Sequence, residues 1–294
     1  MAFLVITGFL FFLWFISLFK VLLLPRIPFA KHFTHNGRAF RKRNVLLVIA
    51  HPDDESMFFT PTINFLTSKG HNVQILCLSI GDADGKGKIR KQELFQACVA
   101  LKVPMQQVKI LNHPDLQDGF GKVWNHSLLA KIIEKEITNC CIDMIITFDK
   151  YGVSGHCNHR DVHYGVTKLL HDTLQRDIEV WELVSTNILR KYSGPVDIWL
   201  SIFLAMLHSN GTMQCLVNVD SRRSFIAMAQ HSSQWVWFRK LFVALSSYTY
   251  MNTLRKAEIQ RIIQTVGTLD KKTSYCGGYG MCVLIVTHYN YTLL

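Results

Sequence analysis

The chain has 294 residues, with 32 Lys and Arg against 21 Asp and Glu for a formal charge of +11, and 49% of it is apolar. That composition excludes disorder and collagen-like or low-complexity classes, because enough apolar side chain is present to offset the entropy of ordering one sizeable core. Cys140 and Cys141 are adjacent and no Cys-x-x-Cys pair occurs, which excludes a disulfide scaffold and a zinc finger and leaves the cysteines reduced and mostly buried.

Ala2 to Phe19 contain no charged side chain, and with Val21 to Leu24 the apolar run is broken only by Lys20 before Pro25. That is about the length a helix needs to cross a bilayer, so residues 1–25 are expected to form a transmembrane anchor. A cleaved signal peptide would carry a basic stretch before the run and a small-residue cleavage site after it, and neither is present. Lys20, Arg26, Lys31, Arg38, Arg41, Lys42 and Arg43 all follow the run, which places the domain after it in the cytosol. The sequons at Asn125, Asn210 and Asn290 are then expected to stay bare. Residues 26–43 read as a basic linker, either a topology signal or a contact for anionic headgroups.

From Asn44 short Val- and Ile-rich runs alternate with longer amphipathic stretches. The expected strands are Val45 to Ala50, Val73 to Ile80, Val108 to Leu111, Met144 to Phe148 and Val180 to Leu183. The expected helices are Met57 to Ser68, Ile89 to Leu101, Ser127 to Thr138 and Arg160 to Leu174. This order predicts an α/β domain over 44–254, a Rossmann-like open and mostly parallel sheet with helices on both faces and ligands at the carboxyl ends of the strands. After about Ser185 the pattern weakens. Pro195 to Leu207 is too short to span a membrane and carries Asp197, so it reads as a core helix or an interfacial segment. Residues 255–294 form a C-terminal extension in which Met281 to Val286 resemble a terminal strand.

The first strand runs into His51-Pro52-Asp53-Asp54-Glu55. A dinucleotide-binding fold would carry its Gly-rich turn here, and no glycine is present. One imidazole and three carboxylates in five residues suit a divalent cation; alternatively Asp53 or Asp54 caps the next helix and Glu55 faces its positive end. The fourth strand leads into a second cluster, with His156, His159 and His163. His51, Asp54 and His159 would make a three-ligand site with one position left for water. His159 and His163 lack the glutamate of a His-Glu-x-x-His protease, so His163 is expected to be solvated or to sit behind the ligands. Gly81 to Lys88 lacks the spacing of a nucleotide-binding loop, and Lys86 stands where a calcium loop needs a ligand. Arg90 and Glu93 beyond it could be a plain surface pair.

The two clusters, in this order, resemble the LmbE-like zinc deacetylase superfamily, whose members remove acetyl groups from N-acetylglucosaminyl conjugates. Within it, the apolar N-terminus, Ile188 to Tyr192 and Gln230 to Arg239 resemble the N-acetylglucosaminylphosphatidylinositol de-N-acetylases of GPI-anchor synthesis, and the likeness runs from about Asn44 to Leu254. The resemblance implies Zn2+ on His51, Asp54 and His159, Asp53 as general base, and His156 as the cationic partner of the oxyanion. It further implies substrate contacts at Arg90, Glu93 and His231, and a glycolipid substrate in the endoplasmic reticulum membrane reached by a cytosolic catalytic domain on a single-pass anchor. No nucleic-acid partner is expected. Relatives often read Gly-His-Pro-Asp-His where this chain has Gly155-His156-Cys157-Asn158-His159, so an amide that can still accept a hydrogen bond replaces an acid. Other readings are a membrane-tethered scaffold without activity, a deacetylase for another N-acetylglucosaminyl conjugate, and a phosphate-ester hydrolase, which usually needs two metals and more carboxylates.

Overall fold

The computed structural model describes residues 2–23, 42–119, 121–172, 178–207 and 212–257. The chain divides into two units, Met1–Ala257 and Glu258–Leu294. The second unit, with the strand expected over Met281 to Val286, lies outside the described residues, as does nearly all of the basic linker. Helix α1 (Ala2–Leu23) comes first, with its side chains described over 3–19. Among the described residues no helix is long and apolar enough to cross a membrane.

There follow β1 (Asn44–Ile49), α2 (Asp54–Met57), α3 (Thr60–Ser68), β2 (Asn72–Cys77), α4 (Gly87–Ala100), β3 (Val108–Ile110), α5 (His126–Asn139) and β4 (Met144–Phe148). Next are α6 (Gly152–Gly155), α7 (Cys157–Asp172), β5 (Glu179–Leu183), α8 (Ile188–Lys191) and α9 (Asp197–Leu207). The remaining elements are β6 (Met213–Val217), α10 (Ser221–Gln230), α11 (Trp237–Leu245), α12 (Ser247–Tyr250) and β7 (Met251–Lys256). The sequence anticipates one helix over Met57 to Ser68; the chain makes two, because Pro61 sits in the first turn of α3, where its fixed φ starts a helix but cannot continue one.

The sheet has seven strands in the order β3-β2-β1-β4-β5-β7-β6. β1 to β5 are mutually parallel, with Val45 paired to Val73 on one side and Met144 on the other. β7 is antiparallel to both its neighbours, so β6 runs with the parallel set. β1 and β4 are buried along almost their whole length, which explains why both read as unbroken apolar runs rather than alternating ones. Strand order reverses between β1 and β4, and in such a sheet the crevice outside their carboxyl ends is where ligands bind. The His51 and His159 segments both start there.

A smaller apolar cluster joins Ile198, Cys215, Tyr250 and Met251, with Leu18 of α1 packed on it. Trp199 Nε1 donates to Ser17 Oγ at 2.7 Å, so the second half of α1 is seated on α9. All the described cysteines are free, and Cys77, Cys98 and Cys215 are buried.

Candidate metal centre and active site

Asp53 and Asp54 do not cap α2. Asp53 stands at the cap position without a side-chain bond to the helix, and Asp54 turns backward so that its Oδ2 accepts from the amides of Ala50 (3.0 Å) and His51 (2.9 Å). Glu55 accepts from the Asp53 amide at 3.1 Å. To make this turn Asp53 adopts φ 132°, a conformation that L side chains rarely take. The strain leaves two adjacent carboxylates pointing to different uses.

The second loop is fixed just as firmly. Asp149, 1% exposed, accepts from the amides of Tyr151 and Gly152 and from both the amide and the hydroxyl of Ser185. Gly152 has φ +61°, and a Cβ there would lie 2.9 Å from that of His159, so no other residue fits without displacing the histidine. Val153 is held at φ 62°, and Lys191 donates to its carbonyl (3.2 Å) and to Ser154 Oγ (2.8 Å).

These loops bring His51, Asp54 and His159 together. His159 Nε2 lies 3.1 Å from Asp54 Oδ1, and His51 Nδ1 3.9 Å from Asp54 Oδ2. The opposite nitrogen of each ring is tied down: His159 Nδ1 to the Gly152 carbonyl at 3.1 Å, and His51 Nε2 to Asp118 Oδ1 and Asn158 Oδ1, both at 3.1 Å. Outer nitrogens engaged with a carbonyl or carboxylate, and inner nitrogens converging on one carboxylate, are how metal-bound histidines are oriented. His156 stands beside them, its ring centroid 4.8 Å from His51 and 4.9 Å from His159. One nitrogen from each of the three rings can be chosen within 4.8 Å of the others. The group that could hold a metal ion among the described residues is therefore His51, His156 and His159, with the buried Asp54 carboxylate adjoining it through His159.

The electrostatics follow from this crowding. Asp54 sits far below the ordinary carboxylate range: burial alone would raise it, but His159 and His51 outweigh that. Asp118 is lowered to about 2 against its own burial by His51 and Arg90. His156 goes the other way, pushed down to about 4 by burial and by the His51 and His159 imidazoles. The resemblance implies a cationic His156; burial and the two neighbouring imidazoles work against that charge. Its Nδ1 accepts from the Asn158 amide at 3.3 Å, which leaves Nε2 carrying the proton.

Asp53 receives a hydrogen bond from Arg239 Nη1, and Arg90 Nη2 is 3.6 Å away. Both contacts fall on Oδ2, so Oδ1 makes no hydrogen bond among the described residues. Arg90 also donates to the carbonyls of Gly81 (2.7 Å) and Pro52 (3.0 Å) and to Asp118 (3.2 Å), bracing three loops at once. Gly81 is required beneath it: φ is +69° and a Cβ would fall 2.5 Å from the guanidinium carbon.

Two residues expected to contact substrate do other work here. Glu93 accepts from the hydroxyls of Ser232 and Ser233 and from the Ser233 amide, which fills both its oxygens. His231 is fully buried, its Nε2 2.6 Å from Glu55 Oε1. Both therefore lock the segment before α11 beneath the His51 turn. His163 lies behind the site, 3.1 Å from Glu182.

The family model "PIG-L: GlcNAc-PI de-N-acetylase" matches residues 46–170. A probable N-acetylglucosaminyl-phosphatidylinositol de-N-acetylase of Dictyostelium discoideum is 35% identical over 239 residues, covering 72% of this chain and 93% of that protein. The chain belongs to the GlcNAc-PI de-N-acetylase family. De-N-acetylases of Bos taurus and Saccharomyces cerevisiae are 37% and 41% identical, covering 71% and 70% of this chain and 81% and 79% of theirs. The fold of this GlcNAc-PI de-N-acetylase family member is also similar to that of N,N'-diacetylchitobiose deacetylase from Pyrococcus horikoshii, with a TM-score of 0.55 at 15% identity over 82% of this chain and 91% of that one.

Asp118 is the residue of this family member that sequence reasoning missed. It shares the loop after β3 with Asp115, and only that loop's place at a strand's carboxyl end could have singled it out. Asp118→Asn is expected to weaken metal binding by about ten- to a hundredfold, measured by competition with a chromophoric chelator; unchanged affinity would remove Asp118 from the site. The Glu55–His231 pair gives a stability prediction. Burial alone would lower the His231 pKa, but Glu55 raises it, while Nδ1 has no hydrogen-bond partner among the described residues. His231→Ala should cost roughly 3–5 kcal/mol by leaving Glu55 buried and uncompensated, read from urea melts. Because the folded-state pKa is raised, the pair's contribution is complete below the ordinary histidine pKa and falls as pH rises through the folded value.

Proposed function

We propose that the chain hydrolyses the acetamide of N-acetylglucosaminylphosphatidylinositol, releasing acetate and leaving the glucosaminyl lipid of GPI-anchor synthesis. The observation that carries this is the convergence of His51, Asp54 and His159 beside Asp53, in a member of the GlcNAc-PI de-N-acetylase family. The three converging groups would hold one divalent cation, for which we propose zinc. Such an ion supplies Lewis acidity toward a carbonyl and makes a water more acidic.

The chain's own residues perform the remaining steps. Asp53 Oδ1 takes a proton from the attacking water and returns it to the departing sugar nitrogen, so one carboxylate serves as base and then acid. His156 donates Nε2–H to the former carbonyl oxygen as charge builds there. Asp118 and the Gly152 carbonyl keep the two imidazoles in the tautomers that expose their inner nitrogens. Arg239 and Arg90 hold Asp53 over the reacting carbon.

Anchorage through α1 in the endoplasmic reticulum membrane, with the catalytic domain in the cytosol, belongs to the same proposal. It is supported by the uncharged run Ala2 to Phe19 and the basic residues after it, the run being helical over Ala2–Leu23. Purified full-length protein should contain one zinc per chain and release acetate from the glycolipid, with both lost to a chelator and restored by zinc. Phosphate release, or acetate release indifferent to chelation, would refute the reading. Protease added to sealed vesicles should digest the domain, and a protected domain would reverse the topology.

A further inference from the structure

Two helices present faces made only of apolar side chains. On α11, Trp237, Phe238 and Leu241 are exposed while Phe242 and Val243 are buried; on α9, Leu200, Phe203 and Leu207 are exposed, opposite Ile198 and Ser201. At 100° per residue each exposed set occupies one side of its helix. Trp237 and Phe203, 72% and 58% exposed, are not stray surface residues but parts of continuous stripes, and such patches on a folded chain mark a contact surface.

Both stripes adjoin α1. Trp199 of α9 donates to Ser17 of α1. A Cβ on Gly194 would meet Trp14 Nε1 at 2.9 Å and the Leu245 carbonyl at the end of α11 at 3.6 Å. Ser17 and Trp14 lie about one and two turns, roughly 5 and 9 Å, inside the apolar run from Lys20. Elements touching them sit at the depth where amphipathic helices lie in a bilayer, between headgroups and the first acyl carbons. The site is attached to the same surface, since Arg239 of α11 bonds Asp53. Lys240, 5.7 Å over the Trp235 ring, places a cation at the border of the stripe, where anionic headgroups would be.

We infer that α9 and α11 form a platform that lies in the bilayer surface beside α1 and holds the mouth of the site at the height of the lipid headgroups. This rests on the functional reading above, because a substrate whose acyl chains stay in the leaflet needs a site at the leaflet's surface. The platform would let the sugar enter without extraction of the lipid.

The test uses the full chain in phosphatidylcholine–phosphatidylinositol vesicles. With Cys140, Cys141, Cys157, Cys276 and Cys282 replaced by Ser and only the buried Cys77, Cys98 and Cys215 kept, single accessible cysteines at Leu241, Phe203 and, as a control, exposed Met105 carry an environment-sensitive fluorophore. Brominated lipids should quench the labels at 241 and 203 and spare the one at 105. Labels at 241 and 203 that stay in water, or whose emission changes with protein concentration rather than with lipid, as a second copy would cause, overturn the platform. A Trp237→Ser, Leu241→Ser, Phe203→Ser triple variant should lose at least about tenfold in turnover of vesicle-borne substrate and none with a short-chain, water-soluble analogue; equal losses on both also overturn it. A wild-type chain that releases acetate from neither substrate overturns the functional reading alone, and the quenching still decides the platform.

Discussion

Asp53→Asn is expected to lower turnover by roughly 10²–10⁴-fold while the protein still binds zinc. Asparagine matches the volume of aspartate and tolerates positive φ better than most residues, so the turn that carries His51 and Asp54 should persist. It can still accept a hydrogen bond from Arg239 but cannot take a proton from water. The separation of the two effects is the point of the test. Acetate release and elemental analysis on one preparation would measure both, and turnover within a few-fold of wild type would exclude Asp53 as the base. Asp53→Glu should recover little, because its longer side chain displaces the carboxylate from the place where the two arginines hold it.

His159→Gln is expected to lose the metal as well as the activity, by more than the hundredfold that an outer-shell change produces. The imidazole stacks on Phe148 with ring centroids 4.1 Å apart and planes 3° apart, and its Nδ1 is fixed by Gly152, so the ring has one orientation available. Glutamine keeps much of the volume, which separates loss of ligation from collapse of the pocket. Circular dichroism should show a folded protein, and zinc content should fall well below one per chain. Retained zinc would transfer the ligand role to His156, whose ring adjoins both others.

The sequence made the centre of the parallel half legible because β1 and β4 are buried along almost their whole length, and burial on both faces writes itself as uninterrupted Val, Ile and Leu. β7 was hidden for the opposite reason. Asn252 donates to the Phe58 carbonyl and accepts from Thr62, while Arg255 pairs with Glu182 and Lys256 with Glu179. Polar residues satisfied by tertiary partners erase the apolar signal of a strand. α9 was ambiguous because it is apolar on its inner and outer faces alike, and periodicity cannot then say which side meets water.

At the site, chemistry concentrated in short runs could be read and chemistry assembled across distance could not. His51, Asp53, Asp54, His156 and His159 come from two runs. Asp118 belongs to neither run, yet it meets the same nitrogen of His51 as Asn158 does, supplying a carboxylate where the second motif has an amide. The resemblance singled out Arg90 and the segment ending at Arg239, but not that both guanidinium groups meet Asp53. The lowered pKa of His156 comes first from burial and then from two neighbouring imidazoles, one of them more than a hundred residues away in sequence, and no local pattern carries that information.

The ties from Glu55 to His231 and from Asp53 to Arg239 span 176 and 186 positions. During synthesis the chain emerges N-terminus first, so the parallel strands β1 to β5 and all three clustered histidines leave the ribosome before the segment that carries His231 and Arg239. A nascent polypeptide can thus gather its ion early yet stay catalytically silent until its last helices have docked, which delays the power to cut amides until the molecule is nearly complete.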